Sequence, residues 1–546
     1  MAPKSCPYLD TISRPLISYT ALPICSTTSS SSKIYMCLCC GSFFQGRGEG
    51  SEAMKHALET GHAVFQAMTD AAGEAEQTSK FYCLPDNYQI IDNSLSDLKR
   101  AYECTFTPSQ VLSLSTNTAM SRDVFGKPYL PGYVGCVDLG KTDYMGATIV
   151  AVGMVEEVRD WFLGEGEKKL EGYIGGGYQG TPEKVLLFEF GKFIRRIWSP
   201  DRLRAAIDPQ GFVKIVERAS NGKFKVGQGG EGSEFWCWLI SYIHRAILKG
   251  SDKKTRRSGK SVFTSAFQGS IKVRTVRAVD KKNSYLSEAD HDSMNDSVLG
   301  GQKKEATPGA GQADNIEIEE TTQEVPFLQL TVDIPQKPLF KDDSKGGLVI
   351  PQENLMDLMN KFDGKTVIDG VSRKGAKEKK QYNVKEMPKY LVLNLKRFTK
   401  TKFGIEKNPT IVTFPVEGVD FGGYVVGGGG EENVDSMKVK ELKSALASMG
   451  KSITGAVEKS ALVKMVKEGF AKRYKYDLIS SIAHDTPTNV GKETASDPIE
   501  EGSHRVMARH EASRQWFEVS EQNVTSVMPQ MVAVSEAVVL VFKKQG

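Results

Sequence analysis

Seven of the nine cysteines, Cys6, Cys25, Cys37, Cys39, Cys40, Cys83 and Cys104, precede residue 105, and none follows Cys237. An odd number of thiols crowded at one end argues against a disulfide framework and for a reducing compartment. It also divides the chain into a small thiol-rich module and a long thiol-poor remainder. At 546 residues the chain exceeds a single core, so about two to four domains are expected. Lys and Arg exceed Asp and Glu by only 4. Bulk charge therefore predicts no polyanion partner, and any such contact must come from local clusters. No uninterrupted apolar run approaches the ~20 residues that cross a bilayer, and the first twenty residues hold no continuous apolar core of the signal-peptide kind.

Within the first module, Cys37 and Cys40 form a C-x-x-C pair in "YMCLCCGSFFQGRG", followed by His56 and His62 in "KHALETGHAV". Two thiolates on a tight turn and two imidazoles make a complete tetrahedral shell for a structural Zn²⁺. "SEAMKHALETGH" reads as a helix ending at Gly61, which puts His56 on the helix and His62 just beyond it. The plainer alternative is that both His only decorate a surface helix. Cys39 competes for the pair, but Cys37 with Cys39 leaves too short a loop. Cys6 and Cys25 lack obvious further ligands, and Cys83 reads as a buried core thiol.

Beyond about residue 116 the patterns alternate. "VLLFEFGKFIRRIW" and "FWCWLISYIHRAIL" have helical periodicity, whereas "FLQLTVDI", "KYLVLNLKRF" and "AVVLVFK" are strand-like. The overall class is α+β. Three stretches read as insertions or linkers: the basic run 249–260, a polar disordered insertion at 279–320, and a glycine-rich tether at 421–433. A lysine-rich helical hairpin at 435–470 follows. Val439, Leu442, Leu446 and Met449 form one apolar stripe and Leu462, Val463 and Val466 another, with Gly450 and Gly455 between them.

The stretch "GCVDLGKTDYMGATI", 135–149, has the form of a nucleophile at a helix N-terminus, where the dipole and free N–H groups stabilise a thiolate. Asp143 stands where the thiol belongs.

The early block, with "SCPYLDTISR", the C-x-x-C and His pairs, and "KFYCLPDNYQIID", resembles the zinc finger of the ubiquitin-specific-protease type, placed at 1–115. In other members that module captures the free carboxyl terminus of ubiquitin through aromatic and Arg positions not matched here, so the resemblance stops short of ubiquitin capture. Residues 116–546 resemble a ubiquitin-specific protease domain, a papain-like fold, through "YLPGYVGCVDLGKTDYMGATI", "QGGEGSEFWCWLISYIH", "PKYLVLNLKRF", "KNPTIVTFP", "EGSHRV", "RQWFEVSEQNV" and "EAVVLVF".

On that resemblance Asp143 falls on the nucleophilic Cys and Asp138 on the Asn that donates to the oxyanion. Ser503 falls on the general-base His, and Ser520 on the residue that orients it. A thiol protease needs thiolate, base and orienting group together, and a carboxylate at 138 reverses the sign wanted at an oxyanion. His504, one residue from the base position, is expected to face the other side of its strand. Cys136 lies before the turn and away from the helix N-terminus. The two C-x-x-C pairs that typical members carry on a zinc-bound fingers subdomain are also missing.

The combination is similar to one subfamily, the catalytically inactive splicing factors of the U4/U6·U5 tri-snRNP. That resemblance implies a non-catalytic scaffold in the nucleus with spliceosomal partners. An active deubiquitinase with an unorthodox site and a ubiquitin-binding adaptor are the alternatives. The hairpin at 435–470 resembles a SAP-type helix-extended-helix, which makes Lys438, Lys440 and Lys443 candidates for nucleic-acid contact; a charged hairpin that only pads an insertion is the other reading.

Overall fold

The computed structural model describes residues 6–545 apart from 71–77, 165, 167–179, 281–315, 337–339, 343–346, 372–376, 403, 427–436, 449–457 and 487–496. Near the amino end a five-stranded antiparallel sheet is built on the strand Ile34–Cys37, with the helix Glu52–Thr60 against it. That helix begins where the Ser51 hydroxyl accepts from the Met54 amide. It ends at Gly61, whose φ of 74° is readily reached only without a Cβ. Cys6, Cys25 and Cys83 are buried in the core beneath the sheet.

The larger unit has two halves. One is helical, centred on Asp143–Gly153, with Pro182–Trp198 and Gly232–Gly250 packed around it. Every residue from Tyr144 to Gly153 is buried, which accounts for an apolar stretch without amphipathic period. The other half is an eight-stranded sheet ordered Leu330–Asp333, Tyr390–Lys396, Ala537–Lys544, Lys475–Asp485, Ser503–Arg509, Trp516–Ser520 and Asn523–Val527, with Val419–Asp420 alongside Lys475–Asp485. Only the first pair is parallel. Arg397, at the end of the "KYLVLNLKRF" strand, is fully buried. It donates to the carbonyls of Ala537 (2.6 Å), Asn408 (3.2 Å) and Thr410 (2.7 Å), fixing the loop that follows.

A separate four-stranded antiparallel sheet projects from the junction, with the long strands Gly269–Asp280 and Ile316–Phe327 paired from end to end. No cysteine lies in it. Its strands are tied by ion pairs instead: Arg274–Glu320 at 2.6 Å, Arg277–Glu319 at 2.6 Å and Lys385–Glu324 at 2.5 Å.

Several boundaries differ from the sequence reading. The insertion expected at 279–320 has paired strands at both ends, 279–280 and 316–320, and its middle lies outside the described residues. The tether expected from 421 begins as core, since Phe421, Tyr424 and Val425 are buried. The basic run 249–260 folds into the end of one helix and a second, Lys253–Ser258, capped by the Asp252 side chain. Val111 and Leu114, before the expected boundary at residue 115, pack into the helical half of the larger unit. In the hairpin, Val439–Ser448 and Lys459–Arg473 are helical and share a small core of Leu442, Leu446, Leu462 and Val466; Val439 is exposed, and Met449, Gly450 and Gly455 lie outside the described residues.

Candidate functional site: a zinc cluster and an altered protease centre

The strand Ile34–Cys37 delivers Cys37 into the first core, the following turn returns Cys40, and the capped helix carries His56, with His62 after its glycine stop. One ligand atom from each of the four lies within 4.8 Å of all the others. His56 Nε2 is 3.1 Å from His62 Nδ1 and 3.6 Å from Cys40 Sγ. Two sulfurs and two ring nitrogens at this spacing fit a tetrahedral Zn²⁺. Cys39 turns elsewhere, its sulfur 3.3 Å from the Thr11 hydroxyl. The thiol of Cys83 donates to Asp86 at 3.7 Å.

At the second centre, Asp143 is the first residue of the buried helix. Its Oδ2 accepts from the backbone N–H of His504 and lies 3.3 Å from the Nδ1 of the same residue. On its far side the His504 ring accepts from the Gly232 amide, 3.3 Å from Nε2. With Nε2 engaged as an acceptor, the proton belongs on Nδ1 and is donated to Asp143. Burial raises the Asp143 pKa, but the hydrogen bonds from the His504 ring and from the amides of His504 and Tyr144 outweigh it, so the carboxyl lies below its ordinary range.

His504 therefore faces the helix instead of turning away, which corrects the expectation for that residue. Its neighbours explain why: Val506 and Ala508, two and four residues on, point into the helical core, while Ser503 is exposed. Alternation counted from those apolar residues, and not from Ser503, finds the face. Ser520 ends its strand opposite Asn523.

Asp138 is engaged within its own turn. One carboxylate oxygen accepts from the Thr142 amide (2.7 Å) and hydroxyl (2.9 Å), the other from the Lys141 amide (3.1 Å). It closes the turn through Gly140 (φ 103°) and Lys141 (φ 58°) and supplies an acceptor at the start of the helix. Cys136 is buried, and desolvation pushes its thiol up to about 12.

A second buried ring lies beside the first. His484 is fully buried, with its centroid 4.6 Å from that of His504 and its Nε2 unpartnered. Burial above all, with the Lys407 charge adding to it, lowers its pKa to about 3, so it is neutral. A Cβ at Gly502 would collide with this ring. Just before it, Glu500 pairs with Lys141 and accepts from the Gly229 amide at 3.1 Å, tying the segment Pro498–Glu501 to the turn before the buried helix. The cavity beside Asp143 has a volume of about 20 Å³, room for about one water.

Residues 134–542 match the family model "Ubiquitin carboxyl-terminal hydrolase", and residues 25–95 match "Zn-finger in ubiquitin-hydrolases and other protein". The chain belongs to the ubiquitin carboxyl-terminal hydrolase family. Its amino-terminal module is the family's zinc-binding finger. The human protein named ubiquitin carboxyl-terminal hydrolase 39 is 32% identical over 547 residues, covering 99% of this chain and 80% of that protein. A Schizosaccharomyces pombe member, "Probable mRNA-splicing protein ubp10", is 25% identical over 99% of this chain and 88% of its own. The fold matches a solved structure described as an essential yeast splicing factor, with a TM-score of 0.61, 19% identity, and coverage of 99% of this chain and 100% of that one. At this centre Asp143 stands at the helix N-terminus, and the His504 ring is bonded through both nitrogens.

Proposed function

We propose that this chain is a non-catalytic scaffold of pre-mRNA splicing in the nucleus, supporting tri-snRNP assembly or its entry into the spliceosome. The observation that carries the loss of catalysis is the Asp143–His504–Gly232 chain of hydrogen bonds, which commits the carboxylate and both ring nitrogens to holding the fold together. The splicing part is supported by relatives that match nearly the whole chain and are named as splicing proteins. The Asp143, Ser503 and Ser520 positions are read as a degenerate triad and Asp138 as a degenerate oxyanion position. Zn²⁺ is held by Cys37, Cys40, His56 and His62, and the lysines Lys438, Lys440 and Lys443, all exposed, contact RNA.

Affinity purification of the tagged full-length chain from nuclear extract tests the reading: tri-snRNP RNAs and proteins are expected to co-purify. Their absence, or turnover of a ubiquitin–amide substrate that Asp143→Ala abolishes, overturns it.

A further inference from the structure

The basic run 249–260 plays no part in the centres above, and folding gives it a definite shape. Between Ser241 and Gln268 the chain carries seven Lys and Arg residues against a single acid, Asp252. Asp252 is used as the helix cap, accepting from the Thr255 amide at 3.2 Å. Arg256 donates to the carbonyls of Lys249 (2.9 Å) and Ser251 (3.2 Å), pinning the basic helix to the end of the long one. Lys253, Lys254, Arg257 and Lys260 are exposed, and among the described residues no carboxylate forms an ion pair with Lys253, Arg257 or Lys260.

The long helix continues this surface with aromatic rings. Trp238, Tyr242, Arg245 and Lys249 recur at intervals of four, three and four residues, which places them on one helical stripe. The Trp238 and Tyr242 rings are half-buried with centroids 5.1 Å apart, and the Arg245 guanidinium lies 5.6 Å from the Tyr242 centroid. The stripe runs about 16 Å along the helix. Lys249 pairs with Glu183 at 2.9 Å, so the cations open to phosphates are those of the basic helix and Lys260. Flat rings that stack bases beside such cations are what single-stranded nucleic acid requires. An acidic peptide would use only the cations.

We propose that the outer stripe of Gly232–Gly250 and the helix Lys253–Ser258 form a binding surface for single-stranded RNA. Its chemistry is independent of the splicing reading and of the lysine hairpin.

The test uses the full chain and a short fluorescein-labelled oligouridylate, titrated at several salt concentrations. Replacing the three cations together (Lys253→Gln, Lys254→Gln, Arg257→Gln) is expected to weaken binding at least about tenfold and to flatten the logarithmic salt slope by about two, at roughly 0.7 per lost contact. Tyr242→Ser is expected to weaken binding several-fold with the slope unchanged. Because the cations are exposed, the triple variant should keep the parent unfolding curve. The proposal is overturned if the triple variant binds like the parent, or if Lys438→Glu, Lys440→Glu and Lys443→Glu alone abolish binding. It is also overturned if a polyglutamate peptide competes equally and Tyr242→Ser has no effect, since the surface would then serve an acidic protein.

Discussion

Asp143 shows how one carboxylate can join a helix to a strand from the far end of the chain. Asp143→Ala would leave the buried N–H of His504 without its acceptor, a change that costs about 1–3 kcal/mol. Urea denaturation at neutral pH should show that loss. Asp143→Cys restores only the thiol, because the His504 Nε2 is held by the Gly232 amide and triad members act as a unit. Cleavage of a ubiquitin–amide substrate by this variant should stay at background. The buried His484 ring sets a pH dependence. His484 has a folded pKa of about 3 against about 6.5 unfolded, so below pH 6.5 the unfolded chain binds the extra proton. Stability should fall by up to about 1.4 kcal/mol per pH unit between pH 6.5 and 4, and His484→Gln should flatten that slope. The replaced thiol could be read from "LGKTDYM" alone. The role of His504 needed the strand's core-facing side, which Val506 and Ala508 reveal but the position of Ser503 obscures.

Elements were legible where periodicity or ligand spacing was strong. The zinc helix between Ser51 and Gly61 announced itself by cap and stop. Cys40→Ala or His62→Ala should remove the metal and unfold this module, since structural zinc contributes its binding energy to folding. Metal analysis of the full chain, with limited proteolysis of the first hundred or so residues, should report both effects. The projecting sheet was less legible, because its strands are polar and highly charged, with the cross-strand pairing that neutralises them invisible in a linear sequence. Ion pairs this exposed are screened by salt. Amide exchange along Gly269–Asp280 and Ile316–Phe327 should accelerate at about 1 M salt, more than in the eight-stranded sheet. The tether misjudged at 421 shows the converse error: glycines dominated the composition while Phe421 and Tyr424 belonged to the core.

At the scale of the whole molecule, the order of the blocks made the two-part architecture readable, and the docking of the parts was not. The hairpin's core is its own. Excising residues 437–473 and closing the gap with a short glycine linker should leave the thermal midpoint of the rest within a few degrees, as calorimetry can establish. The opposite arrangement governs the helix Asp143–Gly153. It has no core except the one completed by strands near the other end, and its Asp143 bonds a residue 361 positions later. A ribosome adding about 5–20 residues per second needs roughly twenty to seventy seconds to cross that interval. For all that time a largely apolar helix waits outside the exit tunnel without its partner strands. The contact between Asp143 and His504 thus also makes the nascent chain a prolonged client for whatever shields greasy segments during synthesis.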